Sequence, residues 1–209
     1  MNNIIYWFLI ETIGNFFLKK KYIDYLNPFI HGSVLSIFSI KELLYNNNLS
    51  SNFSEEQLKI LNLSSGYFIY DLLKMAIIKK YRNYLYTAHH IVLLYFYHFF
   101  YKYNLADFFI QALFLGELTN PILQIWYISK LNNKKILFRY TNHIFTILFL
   151  TFRCILIPIF LYKKINQLYN FQISKFDMNS ILTLSFMFNF GNYIWSYQLF
   201  RGYLKWLKK

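Results

Sequence analysis

Residues 136–162 read ILFRYTNHIFTILFLTFRCILIPIFLY, a run that is apolar apart from a few polar side chains. A membrane-spanning helix needs about 20 mostly apolar residues, because the hydrocarbon core of a bilayer is about 30 Å thick. The run is long enough to meet this requirement. It also contains His143 and Arg153, and ionisable groups inside a membrane are costly and usually functional. The run therefore predicts a transmembrane helix that carries functional polar groups.

Six further apolar runs occur along the chain. They lie at about 4–18, 28–45, 63–79, 85–101, 105–128 and 180–203. Hydrophobic residues make up 56% of the sequence and charged residues 15%, whereas about a quarter of a soluble domain is charged. We predict an all-α integral membrane protein with about seven transmembrane helices. Six is the nearest alternative, because the run at 85–101 is short enough to be re-entrant.

The charge distribution gives an orientation. A net charge of +13 would suggest a nucleic-acid partner in a soluble protein. Here the basic residues cluster in alternate loops, at 19–21, 79–82, 130–139 and 201–209. The positive-inside rule places these loops in the cytosol, with the N-terminus lumenal and the C-terminus cytosolic, so we expect no nucleic-acid partner. Three Asn-x-Ser/Thr sequons, which begin at Asn48, Asn52 and Asn62, fall in the opposite loop and agree.

Four of the runs carry a polar stripe at helical spacing. The stripes are Tyr67, Asp71 and Lys74; Glu117, Asn120 and Gln124; Asn142, Thr146 and Arg153, with His143 beside them; and Asn189, Asn192 and Ser196. Residues three or four apart share one face of a helix. Such faces avoid lipid, so we expect them to surround a polar cavity that opens toward the cytosol. The alternative is hydrogen bonding between helices, worth about 0.6 kcal/mol per bond.

The adjacent pair His89 and His90 is the strongest chemical candidate. Neighbours on a helix point about 100° apart, so one imidazole is expected to face the cavity while the other holds its helix in place. A neutral imidazole can act as a base or nucleophile near neutral pH, and Asp71 or Glu117 would orient it. The candidate catalytic residues are therefore His89, His90 and Asp71.

A metal centre is not expected. The chain has one cysteine, Cys154, and its five histidines do not form the histidine boxes of membrane di-iron enzymes. A zinc site made by His89, His143 and Glu117 is the less favoured alternative.

Several short motifs occur in order along the chain and together resemble the TLC-domain family. They are Pro28-Phe-Ile-His31-Gly, Gly66-Tyr-Phe-Ile-Tyr-Asp71, His89-His90, Glu117-Leu-Thr-Asn-Pro121 and Asn192-Tyr-Ile-Trp195. This family consists of multi-pass membrane proteins and includes the ceramide synthases. The Glu117 motif is similar to that of the non-synthase branch, because the synthases carry a His-Asp followed by another Asp there.

The resemblance implies six helices that form a TLC barrel around a polar cavity, plus one extra span. We expect residues 1–27 to form an N-terminal anchor span and basic loop, and residues 28–209 to form the TLC domain. The implied location is the endoplasmic reticulum or a related membrane, and the implied partners are membrane lipids. A homo-oligomer is left open. The cavity or lipid-binding candidates are His31, Tyr67, Lys74, Glu117, Asn120, His143, Arg153 and Asn192.

Three functions follow as hypotheses. The leading one is a protein that binds, senses or regulates membrane lipids. The first alternative is an acyltransferase acting on the amine or hydroxyl of a lipid through His89 or His90, with acyl-CoA as cosubstrate and no other cofactor. The second alternative is a non-catalytic membrane trafficking factor.

Overall fold

A computed structural model describes residues 2–45, 52–81 and 83–208, and all the regular structure in these residues is helical. The α-helices are α1 Asn2–Phe17, α2 Lys20–Tyr45, α3 Glu55–Ile77, α4 Tyr84–Lys102, α5 Ala106–Glu117, α6 Asn120–Leu131, α7 Lys135–Leu150, α8 Ile157–Leu168 and α9 Lys175–Leu207. A 3-10 turn at Lys79–Tyr81 precedes α4, and a π-helix at Thr151–Leu156 joins α7 to α8. The predicted all-α class is confirmed.

Every apolar run falls on helix. The first four lie on α1 to α4, the fifth extends across α5 and α6, the sixth across α7, the π-helix and α8, and the seventh lies on α9. Two continuous helical segments, Ala106–Leu131 with 26 residues and Lys135–Leu168 with 34, are long and apolar enough to cross a membrane. The seven-span count and the barrel stay predictions. The sequons were predicted to lie in one loop. Asn48 lies outside the described residues, and Asn62 lies in helix α3 instead of a loop.

The chain divides into two compact units, Met1–Leu113 and Phe114–Lys209. In the first unit α1 packs against α2 and α3, and α3 packs against α4. Trp7 of α1 is fully buried and donates its indole N–H to the Leu63 carbonyl at 3.0 Å. Gly66 permits the close approach of α1 and α3, since a Cβ at this position would lie 2.7 Å from Asn3 Cβ. Polar and aromatic contacts thus fix α1 on α3.

In the second unit α6 packs against α7, and the π-helix packs against α9. Pro121 lies in the first turn of α6, where a missing N–H removes no intrahelical hydrogen bond, whereas Pro158 follows the π-helix within the continuous segment Lys135–Leu168. The α-helix is therefore interrupted just after Glu117, whereas at Arg153 the chain stays helical and changes to π-helical hydrogen bonding. Single π-helical turns inside helices often accompany functional sites. The prediction that residues 1–27 form a separate anchor stays a prediction.

Candidate functional site

A buried hydrogen-bonded chain joins three helices of the first unit. His31 of α2, which is 2% exposed, places Nε2 2.8 Å from Ser64 Oγ of α3. Ser64 Oγ lies in turn 3.0 Å from the Tyr97 hydroxyl of α4. The His31 ring stacks on Tyr67 with a centroid distance of 3.9 Å. His31 and Tyr67, both predicted cavity residues, thus lie together in the packed interior of this unit.

The histidine pair on α4 has two different environments. His90 is buried and lies among Tyr67 and Phe68, whereas His89 is partly exposed. His90 Nδ1 lies 3.4 Å from Asp71 Oδ2, close enough for an ion pair but not aligned as a hydrogen bond. The structure therefore brings His90 and Asp71 together and leaves His89 beside them.

Lys74 belongs to an ion-pair network that joins α1, α2 and α3. Its ammonium lies 2.8 Å from Glu11 Oε2 and 3.7 Å from Asp24 Oδ1. Tyr70 donates a hydrogen bond to the same Glu11 carboxylate. Neither Glu11 nor Asp24 was singled out as a site residue from the sequence. The sequence does contain a signal for this pair, because Glu11 is an isolated acid in the first apolar run and Lys74 is a base in the third.

Asp24 lies outside the apolar runs and shows a shifted pKa. The Tyr81 hydroxyl donates to Asp24 Oδ1 at 2.6 Å, and the Lys80 ammonium lies 3.2 Å from Oδ2. Partial burial raises the pKa of Asp24, but the hydrogen bonds from Tyr81 and Lys80 and the charge of Lys74 outweigh it, so the pKa is lowered. The hydrogen bond to Asp24 in turn raises the pKa of Tyr81 to about 12. This corner of the unit is therefore tied by a charge-assisted hydrogen bond.

A second set of polar groups lies around the helix break of the second unit. The Glu117 carboxylate accepts a hydrogen bond of 2.7 Å from the Asn120 amide. Arg153, in the π-helix, donates to the Gly116 carbonyl at 2.5 Å. Glu117 and Arg153 are each 6% exposed. The break between α5 and α6 leaves carbonyl groups such as that of Gly116 available, and the arginine binds there.

Helix α9 contributes buried polar groups without protein partners. Asn192 is fully buried, and neither atom of its amide group has a hydrogen-bond partner within the described ranges. The same holds for side-chain hydroxyls buried elsewhere in this unit, those of Thr119, Thr146, Ser185 and Ser196. The stripe predicted on α9 therefore includes groups that other helices do not satisfy. Asn142 differs, because it accepts a 3.0 Å hydrogen bond from the Trp126 indole.

The predicted site residues fall into two sets. His31, Tyr67, Asp71, Lys74, His89 and His90 lie in the first unit, and Glu117, Asn120, His143, Arg153 and Asn192 lie in the second. Their roles, and a single cavity lined by both sets, stay predictions. Ser64 and Tyr97 were not found from the sequence, although Ser64 precedes Tyr67 by three residues and so extends its stripe. Among the residues that the structure covers, no group of three or more His, Cys, Asp or Glu side chains is placed to hold a metal ion.

The family model for the TLC domain matches residues 5–201. The chain belongs to the TLC-domain family. The match includes every candidate site residue of this TLC-domain protein and confirms the resemblance inferred from its short motifs. Neither the curated proteins nor the solved structures provide a match. Family membership and the two long apolar helices indicate a membrane protein with a lipid-related function.

Proposed function

We propose that this TLC-domain protein binds membrane lipids in its polar interior and so senses or regulates membrane lipid composition. The proposal includes seven spans in the endoplasmic reticulum or a related membrane, with a lumenal N-terminus and a cytosolic C-terminus. The observation that carries it is the group of buried polar side chains in the second unit, including Asn192, that have no hydrogen-bond partner among the described residues.

Such groups are expensive unless something binds them. A buried donor or acceptor without a partner costs about 1–3 kcal/mol, and native structures satisfy nearly all of them with protein, water or ligand. If Asn192 only joined helices, its amide would contact a neighbouring helix, as Asn142 does with Trp126. A lipid that presents a hydroxyl, amide or ester carbonyl would satisfy Asn192 while its chains contact the apolar side chains of the unit.

Packing places this hydrogen-bonding capacity on neighbouring helices. Ser185, Asn192 and Ser196 are spaced by seven and four residues on α9, which places them on one face. Thr146 lies on α7, which packs against α9. The geometry therefore supports a polar site between helices of the second unit, surrounded by apolar side chains.

Replacement of Asn192 by leucine tests the proposal. We expect Asn192→Leu to reduce crosslinking to a photoactivatable phospholipid or sphingolipid at least several-fold, and to alter the lipid profile of cells as deletion does. The matched control is Asn166→Leu, an exposed asparagine on α8, which should leave both readouts unchanged. Normal crosslinking and a normal lipid profile in folded Asn192→Leu protein would reject the proposal.

The Asp71–His90 pair favours a second candidate, an acyl-CoA-dependent lipid acyltransferase. If Nδ1 carries the imidazole hydrogen on the side near Asp71, His90 Nε2 can take the proton from a lipid amine or hydroxyl. The nitrogen or oxygen then forms a bond to the acyl carbon as the carbon–sulfur bond of the thioester breaks. The departing thiolate takes the proton from His90. No contact in the described ranges specifically favours the trafficking hypothesis, which stays a prediction.

A measurement of acyl transfer in membranes distinguishes the acyltransferase from the lipid-binding protein proposed first. If the protein is an acyltransferase, we expect His90→Ala to lower the rate by a factor of at least 100, while lipid crosslinking persists. His98→Ala, an exposed histidine on the same helix, is the control and should transfer acyl groups normally. Equal rates in His90→Ala and unaltered protein would eliminate the enzyme and leave the lipid-binding proposal standing.

A further inference from the structure

An open cavity of about 520 Å³ lies at the start of α7, within the second unit. Ile136, Arg139, Tyr140 and His143 line it. Its volume lies within the range of about 300–1,000 Å³ that small-ligand sites occupy. None of the buried polar groups around Asn192 lines it, so it is a separate site that the proposed function does not use.

The cavity has a free cationic group. Arg139 is exposed and forms no ion pair or hydrogen bond with the residues that the structure covers. Lys134 and Lys135 precede it at the start of the helix. The only acids in residues 114–209 are Glu117 and Asp177, each of which has a hydrogen-bonding partner elsewhere. An anion is therefore the ligand that this charge arrangement attracts.

His143 completes the polar side of the cavity. It lies four residues after Arg139 and so shares its helix face. Its Nδ1 lies 2.5 Å from the Tyr203 hydroxyl of α9, and its ring lies 5.0 Å from that of Trp206. When Nδ1 accepts a hydrogen bond from the Tyr203 hydroxyl, Nε2 carries the hydrogen of the neutral imidazole and can act as a donor. α9 thus holds His143 in place beside the arginine.

The remaining lining is apolar and exposed. Ile136 is 76% exposed and Tyr140 63% exposed. Tyr140, Tyr203 and Trp206 are of the residue types that are enriched where a membrane meets water. The apolar run begins here, at the end that the charge distribution assigns to the cytosol, where acidic lipids are concentrated. A lipid fits this surface better than a soluble anion, because a soluble anion would leave the apolar side chains in water.

We propose that this cavity binds the phosphate group of an acidic membrane lipid. Arg139 binds two phosphate oxygens through its planar guanidinium group, and His143 donates to a third oxygen. Ile136 and Tyr140 contact the glycerol backbone and the upper part of the acyl chains. Phosphate is shared by lipid headgroups and soluble phosphate esters, and the apolar lining assigns the site to the lipid.

Quenching of tryptophan fluorescence tests the site directly, because Trp206 lies beside it. The full chain is held in phosphatidylcholine nanodiscs that contain increasing amounts of brominated phosphatidic acid or brominated phosphatidylcholine. We expect half-maximal quenching at a content of the phosphatidic acid at least five-fold lower than that of the phosphatidylcholine. Trp206→Phe should abolish most of this selective quenching.

Substitutions of Arg139 test whether this residue causes the selective quenching by phosphatidic acid. Arg139→Gln should remove the preference for phosphatidic acid, and Arg139→Lys should reduce it about two- to three-fold because lysine cannot bind two oxygens in one plane. Lys163→Gln, which removes an exposed cation from α8, is the matched control and should retain the preference. If Arg139→Gln does not fold, the preference for phosphatidic acid is instead compared between the unaltered protein and the variants Arg139→Lys and His143→Gln.

Two results would overturn the proposal. One is equal quenching by the two lipids in the unaltered protein, which would show that the cavity does not select phosphate. The other is displacement of the brominated phosphatidic acid by a comparable concentration of glycerol 3-phosphate, which would assign the site to a soluble phosphate ester. Neither result bears on lipid binding at Asn192, which has its own variant and readout.

Discussion

At the scale of single residues, neighbours in sequence have different surroundings. His89 is partly exposed, whereas His90 is buried with its Nδ1 3.4 Å from Asp71 Oδ2. Asn142 and Asn192 are both buried asparagines, but Asn142 has a tryptophan partner, whereas the side chain of Asn192 has no hydrogen-bond partner among the residues that the structure describes. These differences depend on what faces each side chain. They distinguish a residue that joins two helices from the one that the proposed function assigns to a lipid.

The hydrogen bond from Tyr81 to Asp24 predicts a pH-dependent stability difference. The pKa of Asp24 is lowered in the folded protein, so its contribution is present above the ordinary value of 3.8 and is lost as the pH falls through the lowered value. We expect Tyr81→Phe to lower the free energy of unfolding by about 1 kcal/mol at pH 7. The Asp24 side chain is 32% exposed, so screening by water keeps the effect this small.

Unfolding by sodium dodecyl sulfate in mixed micelles, measured from pH 2 to about pH 12, checks this prediction. The difference between Tyr81→Phe and the unaltered protein should shrink toward the acid end. At the alkaline end, the unaltered protein should lose the contribution as the pH rises from 10 toward about 12, where Tyr81 ionises. Tyr84→Phe is the control, since that side chain is 92% exposed. A difference that does not vary with pH would contradict the assignment to Asp24.

At the scale of helices, breaks and close contacts position the polar groups. The break after Glu117 exposes the Gly116 carbonyl that Arg153 binds, and the π-helix carries Arg153 itself. Pro121 lies in the first turn of α6, and Pro158 lies where the π-helix passes into α8. In the first unit, α1 approaches α3 closely at a glycine. Small residues at helix contacts are a common means of packing in membrane proteins.

Gly66 offers a direct test of that contact. A methyl group there would lie 2.7 Å from Asn3 Cβ and 3.0 Å from the Asn3 carbonyl carbon, so α1 must move. We expect Gly66→Ala to destabilise the protein by about 1–3 kcal/mol in the same unfolding assay. Gly202→Ala in α9 is the matched control, because nothing lies within 4 Å of the added Cβ. It should be neutral or slightly stabilising. If both variants unfold like the unaltered protein, the close contact of α1 and α3 is wrong.

At the scale of the whole molecule, the family match covers residues 5–201 and the regular structure of the described residues is helical. The chain is therefore a TLC-domain protein along almost its entire length. The basic loops predict that it crosses the membrane an odd number of times. An odd number of crossings places the two termini on opposite sides of the membrane.

Protease protection of epitope tags in sealed microsomes measures the side of the membrane on which each terminus lies. We expect an N-terminal tag to be protected and a C-terminal tag to be digested, because seven spans place the termini on opposite sides. A cytosolic reporter should be digested in parallel, and detergent should expose both tags. Digestion of both tags without detergent would favour the six-span alternative and would reverse the assignment of the N-terminus.

The sequence by itself determined the helical class, the positions of the apolar segments and the family. These properties follow from local hydrophobicity, from residue spacing within one helix and from short motifs, all of which can be read without knowing what packs where. Asp71, Glu117 and Asn192 were recognisable as candidates because polar residues are rare in apolar runs. The predicted stripe of Tyr67, Asp71 and Lys74 likewise needed only the helical repeat.

Only the tertiary structure decided the partners. Glu11 is distant from Lys74 in sequence, and Ser64 is distant from His31 and Tyr97, so no local pattern predicts these contacts. The structure also decided that His90 is buried near Asp71 while His89 is partly exposed, since adjacent residues on one helix point in different directions. Burial and pairing are properties of two or more helices together. They are set by how side chains of distant segments fit, which the order of residues in one helix does not specify.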